Sequence, residues 1–328
     1  MQQVFGKMKV FITRQFPKSG LELFEKAGID VEQWTEQRDL TQQELIDKCK
    51  DADALLAAGR IELNAEFLEA CKHLKVISLF SVGYDNVDME KADELNIPVG
   101  HTPGVLSKAT ADTAFLLMQA TARKAFHHHK RIAKGDWEFF DPLQDLGQEL
   151  QGKTLGIFGL GNIGYEMAKS AKGAFDMKIV YHNRSTNEKA ESDLGAQKVT
   201  FDELLEKSDV ISVHANLSEE TEGVFDADAF AKMKRSAIFV NTARGPVHNQ
   251  SDLKKALEDG KIWGAGLDVT DPEPMDKNDP LLDYPNVCVL PHIGSSTNET
   301  RDVMAVLSAR NAIAGLQNKE LPARVKPE

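Results

Sequence analysis

The sequence is poor in features that mark several large classes of protein. It has three cysteines, Cys49, Cys71 and Cys288, an odd number with no C-x-x-C pair. A disulfide framework is therefore not expected, and the simplest reading is three reduced thiols in a cytoplasmic protein. No apolar run approaches the roughly 20 residues of a membrane-spanning helix. The N-terminus lacks the apolar segment of a signal peptide, and Met1–Lys7 reads as a short polar extension. Basic residues are outnumbered, 39 Lys+Arg against 51 Asp+Glu, giving a net charge of −12. Nucleic acid and anionic membranes are not expected partners, because both need a basic surface. A small anionic ligand in a local cationic site stays open. There is no short-period repeat and no low-complexity tract. The run His127-His128-His129 is a poor metal site, because consecutive helical residues point about 100° apart. No metal is expected.

What is present is an ordinary globular balance, 41% hydrophobic and 27% charged, over 328 residues. That length suggests about two domains. Short apolar runs alternate with amphipathic helical stretches in two blocks. The first block has strand candidates at Met8–Thr13, Ile29–Trp34, Ala54–Ala58, Leu74–Phe80 and Ile97–Gly100. The second has Thr154–Phe158, Lys178–His182, Val210–His214, Ala237–Asn241, Gly264–Asp268 and Val287–Leu290. Such runs fit strands buried on both faces, and alternation with helices predicts parallel sheets. One long helical pattern, Val105–Lys134, separates the blocks, and another, Asn298–Leu316, follows the last strand.

The clearest motif is Gly159-Leu160-Gly161-Asn162-Ile163-Gly164, set between an apolar strand and an amphipathic helix. This is the context of a dinucleotide-binding loop. Gly159 permits a tight turn, Gly161 admits a pyrophosphate to the backbone, and Gly164 lets helix and strand pack closely. Amides of the first helical turn, Asn162 and Ile163 included, then face the negative charge. The next strand ends in Asn183-Arg184-Ser185, without the carboxylate usual for NAD. Arg184 can pair with a 2′-phosphate and Ser185 can hydrogen-bond it. The expected cofactor is NADP(H), with NAD(H) as the alternative.

Three later strand ends carry candidate chemistry: Arg244, Asp268 with Glu273 five residues on, and His292. Ligands of open α/β sheets bind at the carboxyl ends of strands. An arginine fork binds a carboxylate, and a histidine can deliver a proton near neutral pH. A neighbouring carboxylate favours the imidazolium and orients the ring. Beside a nicotinamide, Arg244, Glu273 and His292 describe reduction of a 2-keto acid.

With GLGNIG, NTARGPV, GAGLDVTDPEP and LPHIGSST in order, the chain resembles the D-2-hydroxyacid dehydrogenases, and within them the glyoxylate/hydroxypyruvate reductase group. The resemblance runs from Met8 to about Leu321 and implies two Rossmann-like, doubly wound α/β domains. The nucleotide domain (104–292) would be inserted into a discontinuous substrate domain (1–103 and 293–328). Arg244 would anchor substrate, Glu273 would be the carboxylate partner and His292 the acid/base. Thr242, Ala243, Asp268 and Gly294 would line the nicotinamide pocket. Val82 and Gly83, in Ser81-Val82-Gly83-Tyr84-Asp85, would offer amides to the substrate carboxylate, with Ser295 nearby, placing substrate between the domains. Family members usually dimerise through the nucleotide domain, and Trp137 matches a tryptophan that can reach the partner's site. The chain departs from many relatives at Thr110-Ala111-Asp112, where they read V-A-E, and at Asn216, where proline is frequent. A regulatory extension like that of some phosphoglycerate dehydrogenases is not expected after the last helix, which lowers that reading. The expected activity is NADPH-dependent reduction of glyoxylate or hydroxypyruvate. The alternatives are a reductase of 2-ketogluconate or another 2-keto acid, or a nucleotide-sensing protein like the family's corepressors.

Overall fold

A computed structural model of the chain describes residues 7–326. The polar extension expected over Met1–Lys7 therefore lies, except for Lys7, outside the described residues. Two compact units are present. One runs to Leu106 and resumes at Ser296; the other is Ser107–Ser295. Among the described residues no helix is long and apolar enough to cross a membrane.

The first unit holds a parallel sheet of β1 (Lys9–Ile12), β2 (Asp30–Gln33), β3 (Ala54–Ala57), β4 (Val76–Leu79) and β5 (Val99–Gly100), in the order β2-β1-β3-β4-β5. Alternation along β1 decides what each face meets. Phe11 joins a core with Leu45, Phe67 and Leu68 from helices on one side. Val10 and Ile12 join Leu56, Val76, Ala305, Ala309, Ala312 and Leu316 on the other. The last four belong to the C-terminal helix Asn298–Leu316. That helix lies so close to β4 that a Cβ on Gly315 would fall 2.4 Å from the Val76 Cβ.

The second unit holds β6 (Thr154–Phe158), β7 (Lys178–His182), β8 (Gln197–Lys198), β9 (Val210–Val213), β10 (Ile238–Asn241), β11 (Gly264–Leu267) and β12 (Val287–Val289). All pairings are parallel, in the order β12-β11-β10-β9-β6-β7-β8. The chain winds outward from β6 to β8, then crosses to β9 on the other side of β6. Neighbouring strands that lead in opposite directions leave a crevice at their carboxyl ends, between β6 and β9.

Two differences from the sequence reading are informative. The single helix expected over Val105–Lys134 is two, Ser107–Ala122 and Ala125–Lys134. The break is at Lys124, which is left-handed (φ 51°) and carries its ammonium over the Trp263 ring, 5.1 Å from the centroid. The chain passes there from a largely buried helix to one with no buried residue. The short edge strand β8 was not expected; its two residues are polar and exposed.

Candidate active site

The parallel register brings the ends of β7, β6, β9, β10, β11 and β12 to one edge of the second sheet. At about 4.8 Å per strand, these six ends span roughly 24 Å.

The glycine loop follows β6 and opens the helix Asn162–Phe175. Gly161 is its N-cap and no side chain caps it, so amides of the first turn, Asn162 to Gly164, have no intrahelical acceptor. Gly159 has φ +92°, and a Cβ there would lie 2.5 Å from the Ala215 nitrogen. A Cβ on Gly164 would lie 2.7 Å from the Gly159 oxygen. Protein packing therefore requires both glycines. Gly161 differs, because an added Cβ would meet no protein atom within 4 Å. Its lack of a side chain keeps open the ground above the uncapped helix end, which suits a pyrophosphate.

Beyond β7, Asn183 is engaged with the loop itself. Its Oδ1 accepts from the Leu160 amide (2.5 Å) and its Nδ2 donates to the Leu160 carbonyl (3.2 Å). Asn187 donates to the same carbonyl at 2.9 Å. Asn183 thus shapes the glycine loop, a job its position in sequence did not reveal. Arg184 and Ser185 are exposed beside it. The Lys198 ammonium, on β8, donates to the Arg184 carbonyl (3.0 Å) and ties down the turn that carries the guanidinium.

At β10, Thr242 is buried, with its hydroxyl 3.4 Å from His214 Nδ1. Ala243 is half-buried and Arg244 Nη1 donates to the Ala243 carbonyl (2.8 Å). At β12, His292 is left-handed (φ 54°), and its Nδ1 lies 2.7 Å from Glu273 Oε1. A carboxylate only accepts, so Nδ1–H is the donor and Nε2 is left for other chemistry. The Glu273 side chain is 20% exposed and that of His292 48%, so the dyad is anchored on the carboxylate side and open on the imidazole side.

Asp268 holds the loop that presents His292. Its Oδ1 accepts from the Ile293 amide and its Oδ2 from the Gly294 amide, both at 2.8 Å. Its own carbonyl accepts from the His292 amide at 2.9 Å. Burial raises the Asp268 pKa above the usual carboxylate value, and the two amides partly offset that. Besides the cofactor role expected from the sequence, Asp268 and Gly294 have a loop-building task. Packing also explains the glycine, since a Cβ on Gly294 would sit 3.1 Å from Asp268 Oδ2. Ser295 is half-buried and ends this unit.

Val82 and Gly83 lie in the first unit, on the loop after β4. Ser81 Oγ donates to the Gly83 carbonyl (2.7 Å), and His101 Nδ1 is 2.9 Å from the Val82 oxygen.

His248 is buried and His214, just after β9, is half-buried. Burial lowers the pKa of His214 to about 3 and that of His248 to about 4. Both fall below the value near 6.5 of an unfolded chain. As pH drops below that value, the unfolded state takes up protons the folded state refuses. The stability these groups contribute is complete above about pH 6.5 and is lost on descending toward pH 4. His248 alone should cost about 2 kcal/mol by about pH 5, with His214 adding in the same direction. Urea unfolding followed from pH 7.5 to 5 checks this; a flat profile would contradict it.

Comparison with known proteins adds independent findings. The family model described as D-isomer specific 2-hydroxyacid dehydrogenase, NAD binding domain, matches residues 115–294. A glyoxylate reductase from Thermococcus litoralis is 44% identical over 312 residues, covering 94% of this chain and 93% of its own length. The crystal structure of a glyoxylate reductase from Paecilomyes thermophila matches with a TM-score of 0.87 at 33% identity, over 98% of this chain and 99% of that one. An NADPH-dependent glyoxylate/hydroxypyruvate reductase from Sinorhizobium meliloti, in complex with NADP and malonate, matches with a TM-score of 0.85 at 29% identity, over 98% and 97%.

Proposed function

The chain belongs to the D-2-hydroxyacid dehydrogenase family, and from that premise we propose that it is an NADPH-dependent reductase of small 2-keto acids, glyoxylate and hydroxypyruvate first. The observation that carries the proposal is the His292–Glu273 dyad, at the same sheet edge as Arg244 and the glycine loop.

The chain's residues divide the work. Gly161 and the first-turn amides hold the pyrophosphate. Arg184 and Ser185 receive the 2′-phosphate, with no carboxylate at that strand end to repel it. When bound, the reduced nicotinamide supplies the hydride for the keto carbon. Arg244 binds the substrate carboxylate and draws charge toward the neighbouring keto oxygen. His292 gives that oxygen its proton from Nε2, while Glu273 holds Nδ1–H and stabilises the imidazolium. Asp268 keeps the loop in place throughout.

A homodimer built on the second unit belongs to this reading. Supporting it, Trp137, Phe139, Phe140, Leu143 and Leu146 are all exposed in one short stretch, Phe140 at 86%. Exposed apolar clusters of this kind mark association surfaces. A cytoplasmic setting also belongs to it, supported by three buried free thiols.

Loss of NADPH absorbance on adding glyoxylate or hydroxypyruvate tests the activity, and no turnover with any small 2-keto acid would defeat it. Arg184→Asp tests the cofactor. Losing a charge-assisted contact to phosphate should raise the KM for NADPH about 10- to 100-fold and spare NADH. Unchanged discrimination would return the choice to NAD(H).

A further inference from the structure

His248 has no part in the chemistry above, yet it is a polar side chain only 1% exposed, in contact with the segment that carries Arg244. Its surroundings fix its protonation by elimination. Asn241, fully buried at the end of β10, uses Oδ1 to accept from the Ala243 amide (2.9 Å). It uses Nδ2 to donate to the Arg244 carbonyl (2.8 Å). Both partners are backbone groups of fixed polarity, so the carboxamide cannot be reversed. The same Nδ2 lies 3.0 Å from His248 Nδ1. Nδ1 therefore accepts, the ring is neutral, and its proton is on Nε2. Nε2 is buried and has no hydrogen-bond partner among the described residues. An unmet buried donor costs stability. A side chain kept solely for packing would not carry that cost.

The bonds around Asn241 form a closed clamp. It grips the amide of Ala243 and the carbonyl of Arg244, while the Arg244 guanidinium grips the carbonyl of Ala243. Among the described residues, the side chain hydrogen-bonded to Asn241 is His248, braced by the Phe239 ring at 5.6 Å. Unbraced, the carboxamide can rotate, and rotation releases both backbone contacts.

We propose that His248 is a positioning residue: by accepting from Asn241 it locks the clamp on Ala243 and Arg244, and so aims the arginine at the substrate carboxylate. This rests on the role assigned to Arg244 above.

The test uses the full-length protein, NADPH and glyoxylate. His248→Leu removes the acceptor, whereas His248→Asn restores it, because the asparagine Oδ1 falls near the place of imidazole Nδ1. The leucine variant should lose about tenfold in kcat/KM for glyoxylate, mainly through KM, since a misaimed anchor loses orientation. Its dissociation constant for NADPH should change less than the KM for glyoxylate, because the glycine loop that takes the pyrophosphate is untouched even though Ala243 is loosened. The asparagine variant should recover most of the loss. A purely structural role would move the melting temperature of both variants and leave the KM for glyoxylate alone, and that result overturns the proposal. So does an asparagine variant as impaired as the leucine one. If His248→Leu does not fold, His248→Gln takes its place; its displaced oxygen should give an intermediate KM, and a wild-type KM overturns the proposal. Arg244→Lys is measured in parallel. An unchanged KM there would defeat the reading of Arg244 itself, whereas a raised KM beside a silent His248→Leu defeats only the positioning role.

Discussion

Replacing His292 by alanine should lower kcat for 2-keto acid reduction by about 10² to 10⁴, the usual worth of a positioned proton donor. NADPH binding should survive, because the loop that presents His292 is held by Asp268 through the Ile293 and Gly294 amides, not through the imidazole. His292 is left-handed, so a change of residue could act through the backbone instead. His292→Asn controls for this, since asparagine tolerates that conformation and offers no comparable acid. Both variants should be similarly inactive. Glu273→Gln should cost less, because an amide oxygen can still accept from Nδ1 but cannot stabilise the imidazolium. Steady-state rates with cofactor titrations decide the matter, and an alanine variant that keeps most of its rate would remove His292 from the mechanism.

The second large effect separates binding from folding within one motif. Gly161→Ala should leave the melting temperature nearly unchanged, because its Cβ enters open space. It should weaken NADPH binding by about 10- to 100-fold, as the methyl group displaces the pyrophosphate from the helix end. Gly159→Ala and Gly164→Ala should do the reverse of the first part. Their Cβ atoms collide with the backbone at 2.5 and 2.7 Å, and both should lower stability by about 1–3 kcal/mol or more. Thermal melts with and without NADPH distinguish the three. A Gly161→Ala protein that binds NADPH normally would show that the cofactor does not approach the loop as proposed.

Much of the second unit could be read from its residues. Thr154–Phe158 and Lys178–His182 coincide with the observed β6 and β7, because continuous apolar runs between polar turns leave little choice of boundary. Motif-bearing ends were legible for the same reason: each follows such a run. What escaped depends on neighbours distant in sequence. The break at Lys124 involves neither glycine nor proline and is accompanied by a contact with Trp263. β8 is two exposed polar residues with no apolar pattern to betray it. Asp268 and Asn183 were marked by position as cofactor contacts, and the loop-holding hydrogen bonds they also make, to residues 23 to 26 positions away, were not legible. The clamp at Asn241 had one local hint, a carboxamide closing a strand of otherwise apolar residues, where a buried amide needs partners.

The C-terminal helix has a consequence for how the polypeptide is made. Ala305, Ala309, Ala312 and Leu316 cover Val10, Ile12, Leu56 and Val76, which leave the ribosome some 230 to 305 residues earlier. Ser107–Ser295 is continuous and can fold as it emerges, whereas the amino-terminal sheet must wait, one greasy face only partly covered, until Asn298–Leu316 has been made. During that interval the nascent chain is a natural client for chaperones, and a product cut short before Asn298 would leave part of that face uncovered for good.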